Sequence, residues 1–179
     1  MIPDIPHLFV TGQRSMQDAA ATLEPYAGMI IEAFADGGCS PNPGAGGWGV
    51  IFNVDGKPVL TICGGAAKTT NNRMELTAAI AAVKALPPGQ ATIFSDSNYV
   101  VAGITSGYPQ WQSRGWMKPG GKTKNLEMWL RLIGLSEAAR PHWQWVRGHD
   151  GDPGNEIADQ LATLGRREAL TAAWRGEAA

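Results

Sequence analysis

An α/β fold on about five strands, antiparallel at first and parallel later, is what this chain of 179 residues predicts. Three observations carry the expectation. Between residues 29 and 63 the apolar runs are of strand length and follow one another directly. After residue 70 helical and strand patterns alternate, as crossover connections require. The composition, 44% hydrophobic and 17% charged, can build the core of one domain at roughly 100–200 residues per domain.

Residues 1–28 are mostly without periodicity. Within them Ser15-Met16-Gln17-Asp18 has the form of a capping box opening a helix over 16–23, stopped by Pro25. A strand over 29–36 leads into a Gly/Pro-rich stretch (Gly37, Gly38, Pro41, Pro43, Gly44, Gly46, Gly47) that reads as a loop. A second strand over 48–54 ends at Asp55-Gly56, a hairpin turn signal, and a third covers 58–63. The alanine-rich run 72–86 is a helix ended by Pro87-Pro88-Gly89. A short strand covers 92–95, and Ser97 is placed to cap a helix reaching about residue 104. Residues 108–123 read as loop. A helix over 125–139 carries Leu126, Trp129, Leu130 and Ile133 at helical spacing. A fifth strand spans 142–147, and a last helix from about 154 to 167 or beyond has Ile157, Leu161 and Leu164 as its stripe.

No apolar run approaches the roughly 18 residues of a membrane-spanning helix, and the N-terminus lacks the positive region of a secretory signal. Cys39 and Cys63 cannot make a disulfide framework and have no metal-ligand spacing, so a reduced, cytoplasmic chain is expected. The net charge of −1 hides an uneven distribution. Residues 104–149 carry a net +5 and five of the seven tryptophans, while both ends are acidic. Basic residues interleaved with aromatics suit an anionic polymer, although a solvated basic face has the same composition.

Four carboxylates stand out by position. Asp36 and Asp96 each end a strand, where open α/β sheets bind ligands, although each also suits the capping of a following turn or helix. Glu75 shares a helical stripe with Ala79, Ala82 and Leu86, and Asp159 lies between Ala158 and Ala162 on the flank of another. Carboxylates on apolar faces need a positive partner, and neither has one on its own helix. Converging acids without basic partners imply a hard divalent cation, Mg²⁺ or Mn²⁺. His149, in a loop ahead of the Asp159 helix, is placed for proton transfer near pH 7, or is simply solvated.

Phe34-Ala35-Asp36-Gly37-Gly38-Cys39, Asn42-Pro43-Gly44, Thr69-Thr70-Asn71-Asn72-Arg73-Met74-Glu75-Leu76, Ser95-Asp96-Ser97-Asn98-Tyr99-Val100 and Val146-Arg147-Gly148-His149, with Asn155 and Asp159, form an ordered series. In that order they resemble the motifs of type 1 ribonuclease H. The likeness covers about residues 29–170 as a catalytic domain. It leaves 1–28 as an extension, partly disordered or a short helix, and 171–179 as a tail.

The resemblance implies a ribonuclease H-like fold, a five-stranded mixed sheet flanked by helices. It implies an endonuclease that cuts the RNA strand of RNA·DNA hybrids with two Mg²⁺ ions (Mn²⁺ able to substitute), leaving 5′-phosphate and 3′-hydroxyl ends. Asp36 would bridge both ions, Glu75 and Asp96 would complete the site that activates the attacking water, and Asp159 would hold the other ion. His149 would assist proton transfer or product departure.

Cys39, Asn42, Asn71, Asn72 and Asn98 would read the minor groove, where 2′-hydroxyls distinguish the strands. The asparagines equally suit turns and caps. Thr70, Asn125 and Lys68 would hold a DNA phosphate. Trp111, Arg114, Trp116, Lys118, Lys122 and Lys124 correspond to the family's basic protrusion.

Two departures accompany the likeness. Gln112-Ser113 stand where several bacterial relatives have lysines, which implies a salt slope shallower by about 0.9 per lost phosphate contact. Residues 1–28 have no counterpart in minimal relatives. A polynucleotidyl transferase core of the same superfold would lack the Thr-Thr-Asn-Asn-Arg-Met-Glu motif and the tryptophan-rich protrusion. A hybrid-binding protein with a dead site is the other alternative, and the expected enzyme is a monomer without membrane association.

Overall fold

The computed structural model describes residues 1–118 and 120–177. Its first elements are β1 (His7–Phe9), α1 (Gln13–Leu23) and a short 3₁₀ turn over Glu24–Tyr26. β2 (Ile30–Cys39), β3 (Gly44–Val54) and β4 (Lys57–Thr69) then form an antiparallel meander. Asp55 and Gly56 join β3 to β4 with φ of 51° and 72°, the left-handed pair that a tight hairpin turn requires. After α2 (Asn71–Ala85), β5 (Gln90–Ser95) joins β2 in parallel.

α3 (Asn98–Ala102) continues through a wider π turn at Gly103–Gly107 into α4 (Tyr108–Ser113). β6 (Met117–Lys118) and β7 (Gly121–Lys122) make a separate two-stranded hairpin. α5 (Leu126–Ala139), β8 (His142–Trp145), parallel to β5, and α6 (Pro153–Arg175) follow. The main sheet has the order β1-β4-β3-β2-β5-β8: the β2–β4 meander is antiparallel and β5 and β8 join in parallel as expected, while a sixth strand, β1, adds a parallel pair at the other edge.

The sixth strand comes from the N-terminal extension. His7–Phe9 lies parallel to Thr61–Cys63, flanked by hydrogen bonds from Thr61 N to Pro6 O and from Val10 N to Cys63 O. Three residues are too few to show a period, so only the edge of β4 reveals the strand. α1 begins before the expected capping box. Ser15 lies inside the helix, its Oγ accepting from the backbone N–H groups of Thr11 and Gly12. Met16, Ala19 and Leu23 bury one face of α1 against α2 and β4. Leu23 is fully buried, so Leu23→Ala is expected to cost about 2–5 kcal/mol in chemical denaturation. The acids lie elsewhere, so activity per folded molecule should stay at the wild-type level.

The Gly/Pro-rich stretch expected to be a loop is mostly strand. Gly37 and Gly38 belong to β2, Gly44, Gly46 and Gly47 to β3. The physical reason is helix approach. A Cβ on Gly47 or Gly49 would strike the backbone of α6 at Ala162 or Ala158, so these glycines let α6 lie directly on the sheet. Residues 108–113, also expected as loop, are α4. The last helix runs to Arg175 and stops at Gly176 (φ 73°), so most of the expected tail is helical and residues 178–179 lie outside the described residues. Its buried face is Gly154, Ala158, Leu161, Ala162 and Gly165, with Ile157 and Leu164 half-buried beside it.

Candidate active site

Asp36 and Asp96 come together because their strands are neighbours in register. β2 and β5 pair Phe34 with Phe94, whose rings stack at 4.6 Å, and two residues further on lie the two aspartates. Asp36 pairs with Gly49 of β3, so its side chain shares the face that α6 covers. Glu75 arrives from the opposite face. Gly37 points toward α2, and with no Cβ it lets the Met74–Glu75 backbone press against the strand end. Carboxylate oxygens of Asp36, Glu75 and Asp96 then lie within 4.8 Å of one another.

The hydrogen-bond donors to these acids among the described residues are all neutral. Gly37 N–H donates to Asp36 Oδ1 at 2.8 Å, Asn71 Nδ2 to Glu75 Oε1 at 3.4 Å, and Asn155 Nδ2 to Asp96 Oδ2 at 3.4 Å. Glu75 Oε2 is buried without a partner. The one ion pair among the described residues, Arg73–Glu127 at 2.8 Å, is on the exposed outer side of α2. Burial, then Asp96 and Asp159, push the Asp36 carboxyl up to about 7. Burial, then Asp36 and Asp96, push Glu75 up to about 9. An orphaned buried carboxylate oxygen facing two more acids fits a divalent cation, which would restore the charged forms.

Asp159, on α6, is half-buried and close enough to raise Asp36, but it stands outside the 4.8 Å group. Three of the four expected acids therefore converge tightly and the fourth flanks them. His149 is exposed, with φ 55°, and its charge acts on Asp36 in the opposite sense. His149 lies in the β8–α6 connection, whereas Asp159 comes from α6 itself.

These shifts set a pH dependence for the metal-free protein. A carboxyl that holds its proton more tightly folded than unfolded stabilises the fold fully below its unfolded value. That stability is lost as pH climbs through the folded value. The window runs from about 4 to about 7 for Asp36 and on to about 9 for Glu75. In EDTA the unfolding temperature should fall between pH 5 and pH 9, and Mg²⁺ should remove most of that fall. Thermal unfolding at stepped pH tests this, and a metal-free curve that rises over the window would contradict it.

The expected groove residues form a partly connected set. Asn42 Oδ1 accepts from Asn71 N at 3.2 Å, and Asn71 Oδ1 accepts from Cys39 N at 3.2 Å. Cap and turn chemistry thus occupies part of these side chains, and Asn71 ties the groove to Glu75. Asn72 and Asn98 are exposed and make no hydrogen bond through their side chains among the described residues. Lys68 is exposed on β4, and Thr70 precedes α2 in extended conformation without a side-chain cap. Asn125 opens α5 in left-handed conformation and donates to Tyr99 Oη at 3.4 Å. No hydrogen bond joins Lys68, Thr70 and Asn125 to one another among the described residues.

In the protrusion, Arg114, Lys122 and Lys124 are exposed. Trp111 packs edge-on to Trp129 at 5.0 Å, and Trp116 also lies half-buried against the core. The side chain of Lys118 lies outside the described residues. Tyr99 was not singled out from sequence, yet its hydroxyl accepts from both Trp129 Nε1 (2.9 Å) and Asn125. Gly37 was also missed, although its place directly after a strand-end aspartate was a signal.

A mixed sheet with Asp36 and Asp96 at neighbouring strand ends, Glu75 of α2 beside them and no Lys or Arg paired to them among the described residues has the architecture of a site suited to a divalent metal. The RNase H family model matches residues 29–167, and the chain belongs to the RNase H family. A protein named Ribonuclease H from Methylorubrum extorquens is 49% identical over 84% of this chain and 66% of its own length. Another of that name from Methylococcus capsulatus is 46% identical over 78% of this chain and 91% of its own length. Among solved structures, LC9-RNase H1, a type 1 RNase H with the type 2 active-site motif, superposes with a TM-score of 0.71 at 29% identity, covering 79% of this chain and 74% of its own. LC11-RNase H1 in complex with RNA/DNA hybrid gives 0.63 at 21% identity, covering 78% of this chain and 99% of its own, and shows the fold alone. The chain is a ribonuclease H-type enzyme, an endonuclease acting on the RNA strand of RNA·DNA hybrids. No helix among the described residues is long and apolar enough to cross a membrane.

Proposed function

We propose that residues 29–170 hydrolyse the RNA strand with two Mg²⁺ ions, Mn²⁺ substituting, held by Asp36, Glu75, Asp96 and Asp159. When bound, the ions supply an activated water and stabilise charge at the leaving oxygen of an in-line displacement. The single observation that carries this reading is the convergence of Asp36, Glu75 and Asp96, with a buried Glu75 oxygen left unpartnered.

The chain's own groups divide the remaining work. Gly37 N–H fixes one oxygen of Asp36 and so orients the carboxylate that would hold the cation. His149, exposed at the mouth, moves a proton to or from the departing strand, leaving a 3′-hydroxyl and a 5′-phosphate. Asn72 and Asn98, with free amides, meet 2′-hydroxyls, while Cys39, Asn42 and Asn71 shape the groove edge through their mutual bonds. Lys68, Thr70 and Asn125 take a DNA phosphate, and Arg114, Lys118, Lys122 and Lys124 add sequence-independent attraction. Trp111 and Trp116 serve mainly to seat the protrusion on the core. The reading takes the enzyme as a cytoplasmic monomer, with Cys39 and Cys63 both free thiols.

The test is a labelled RNA·DNA hybrid incubated with and without Mg²⁺, beside DNA·DNA and RNA·RNA duplexes. Mg²⁺-dependent cleavage of the hybrid RNA alone, with 5′-phosphate products, is the expected result. Tight binding with no cleavage in any divalent ion would identify a hybrid-binding protein instead.

A further inference from the structure

We propose that Trp145 is a positioning residue for Asp96, and through it for the bound divalent cation. The proposal rests on the metal reading above. β8 pairs with β5 only as far as Trp145 opposite Ser95, and the last backbone bond runs from Val146 N to Ser95 O at 3.1 Å. One residue on, the carbonyl of Asp96 has no strand left to pair with, and α3 begins only at Asn98. The indole Nε1–H of Trp145 donates to that carbonyl at 2.9 Å. A side chain thus extends the ladder by one rung, to the residue that carries the carboxylate. Burial does not explain its placement, because Trp145 is 48% exposed.

Two further attachments reach Asp96 from the same segment. A Cβ built on Gly148 would run into Asp96 Oδ2, so the carboxylate lies directly against the backbone there. Asn155, 2% exposed, donates through Nδ2 to the same oxygen. The carbonyl and the carboxyl of Asp96 branch from one Cα. Holding the carbonyl fixes the backbone from which the side chain departs, while Asn155 and the Gly148 backbone hold the carboxylate end. Outer supports bonded to the ligating group itself are typically worth about 10–100-fold in metal affinity or activity, and a support on the ligand's backbone belongs at the low end of that range.

Trp145→Phe keeps an aromatic ring and removes the donor. Mg²⁺ titrated calorimetrically into full-length, metal-free, substrate-free protein should bind about tenfold more weakly to this variant. The Mg²⁺ midpoint for cleavage should move upward by a similar factor, with most of the rate recovered at saturating Mg²⁺. A dissociation constant equal to wild type overturns the proposal whatever the rate. Raised KM for hybrid with unchanged Mg²⁺ affinity also overturns it, making Trp145 a substrate contact. In the wild-type protein the indole N–H resonance of Trp145 should shift on Mg²⁺ addition, and should not shift in Asp36→Asn. A wild type that binds no Mg²⁺ fails the metal reading itself, whereas wild-type binding with no indole response fails only the positioning role.

Discussion

Asp36→Asn is expected to reduce cleavage of the hybrid by about three orders of magnitude, and to raise the unfolding temperature of the metal-free protein above neutral pH. Asp36 lies at the centre of the group's mutual repulsion: burial, Asp96 and Asp159 all act on it, and it acts on Glu75. An amide of the same shape keeps one acceptor oxygen but brings no charge, so on the proposed reading the cation would lose one of its carboxylate ligands. The several kcal/mol of charge stabilisation a metal gives a phosphoryl displacement convert to a rate loss at about 1.4 kcal/mol per tenfold. The stability effect has the opposite sign, because removing one of the converging acids relieves repulsion. Toward pH 4, where Asp36 holds its proton in the folded protein, the difference between the variant and the wild type should disappear. Rate measurements in Mg²⁺, paired with thermal unfolding in EDTA at pH 4 and pH 8, test both halves. Substantial cleavage by the variant would sink the assignment of the site.

Gly37→Ala should cost about 1–3 kcal/mol of stability and slow cleavage by about a hundredfold. The atoms a new methyl would meet are the carbonyl of Met74 and the N–H of Glu75, both backbone, so no side-chain rotation accommodates it. The start of α2 would have to move outward, drawing Glu75 from Asp36 and Asp96. An ångström of misplacement is enough to lose that much rate. Gly38→Ala is the matched control, since a Cβ there meets nothing within 4 Å. The expected pair of results is a slow, destabilised Gly37→Ala beside a near-wild-type Gly38→Ala. Equal behaviour of the two would show that the close approach of α2 has no part in shaping the site.

Much of this was legible from the chain alone. Asp55-Gly56 marked its hairpin because few residues tolerate two positive φ angles in succession. Glu75 marked itself by lying on an apolar stripe, and it is buried. The alternation of helix and strand after residue 70 gave the parallel half of the sheet its order. Other features needed distant partners. Gly37, Gly46 and Gly47 read locally as loop residues, yet they lie in strands where α2, neighbouring strands or α6 come too close for a Cβ. His7–Phe9 is a strand only because β4 offers an unpaired edge, and Ser15 lies one turn inside a helix it was expected to open.

What the order of residues determined by itself was the inventory: which acids lie at strand ends or on apolar faces, and which segments alternate at which period. Those are local properties, set by backbone conformation and by the preference of apolar side chains to leave water together. Only the tertiary structure decided the distances. It brought Asp36, Glu75 and Asp96 within reach of one cation, left Asp159 at their flank, and set Trp145 against Asp96. Convergence from far-apart segments depends on how closely the helices approach the sheet and on where each strand stops, and neither is written in any short stretch of the sequence.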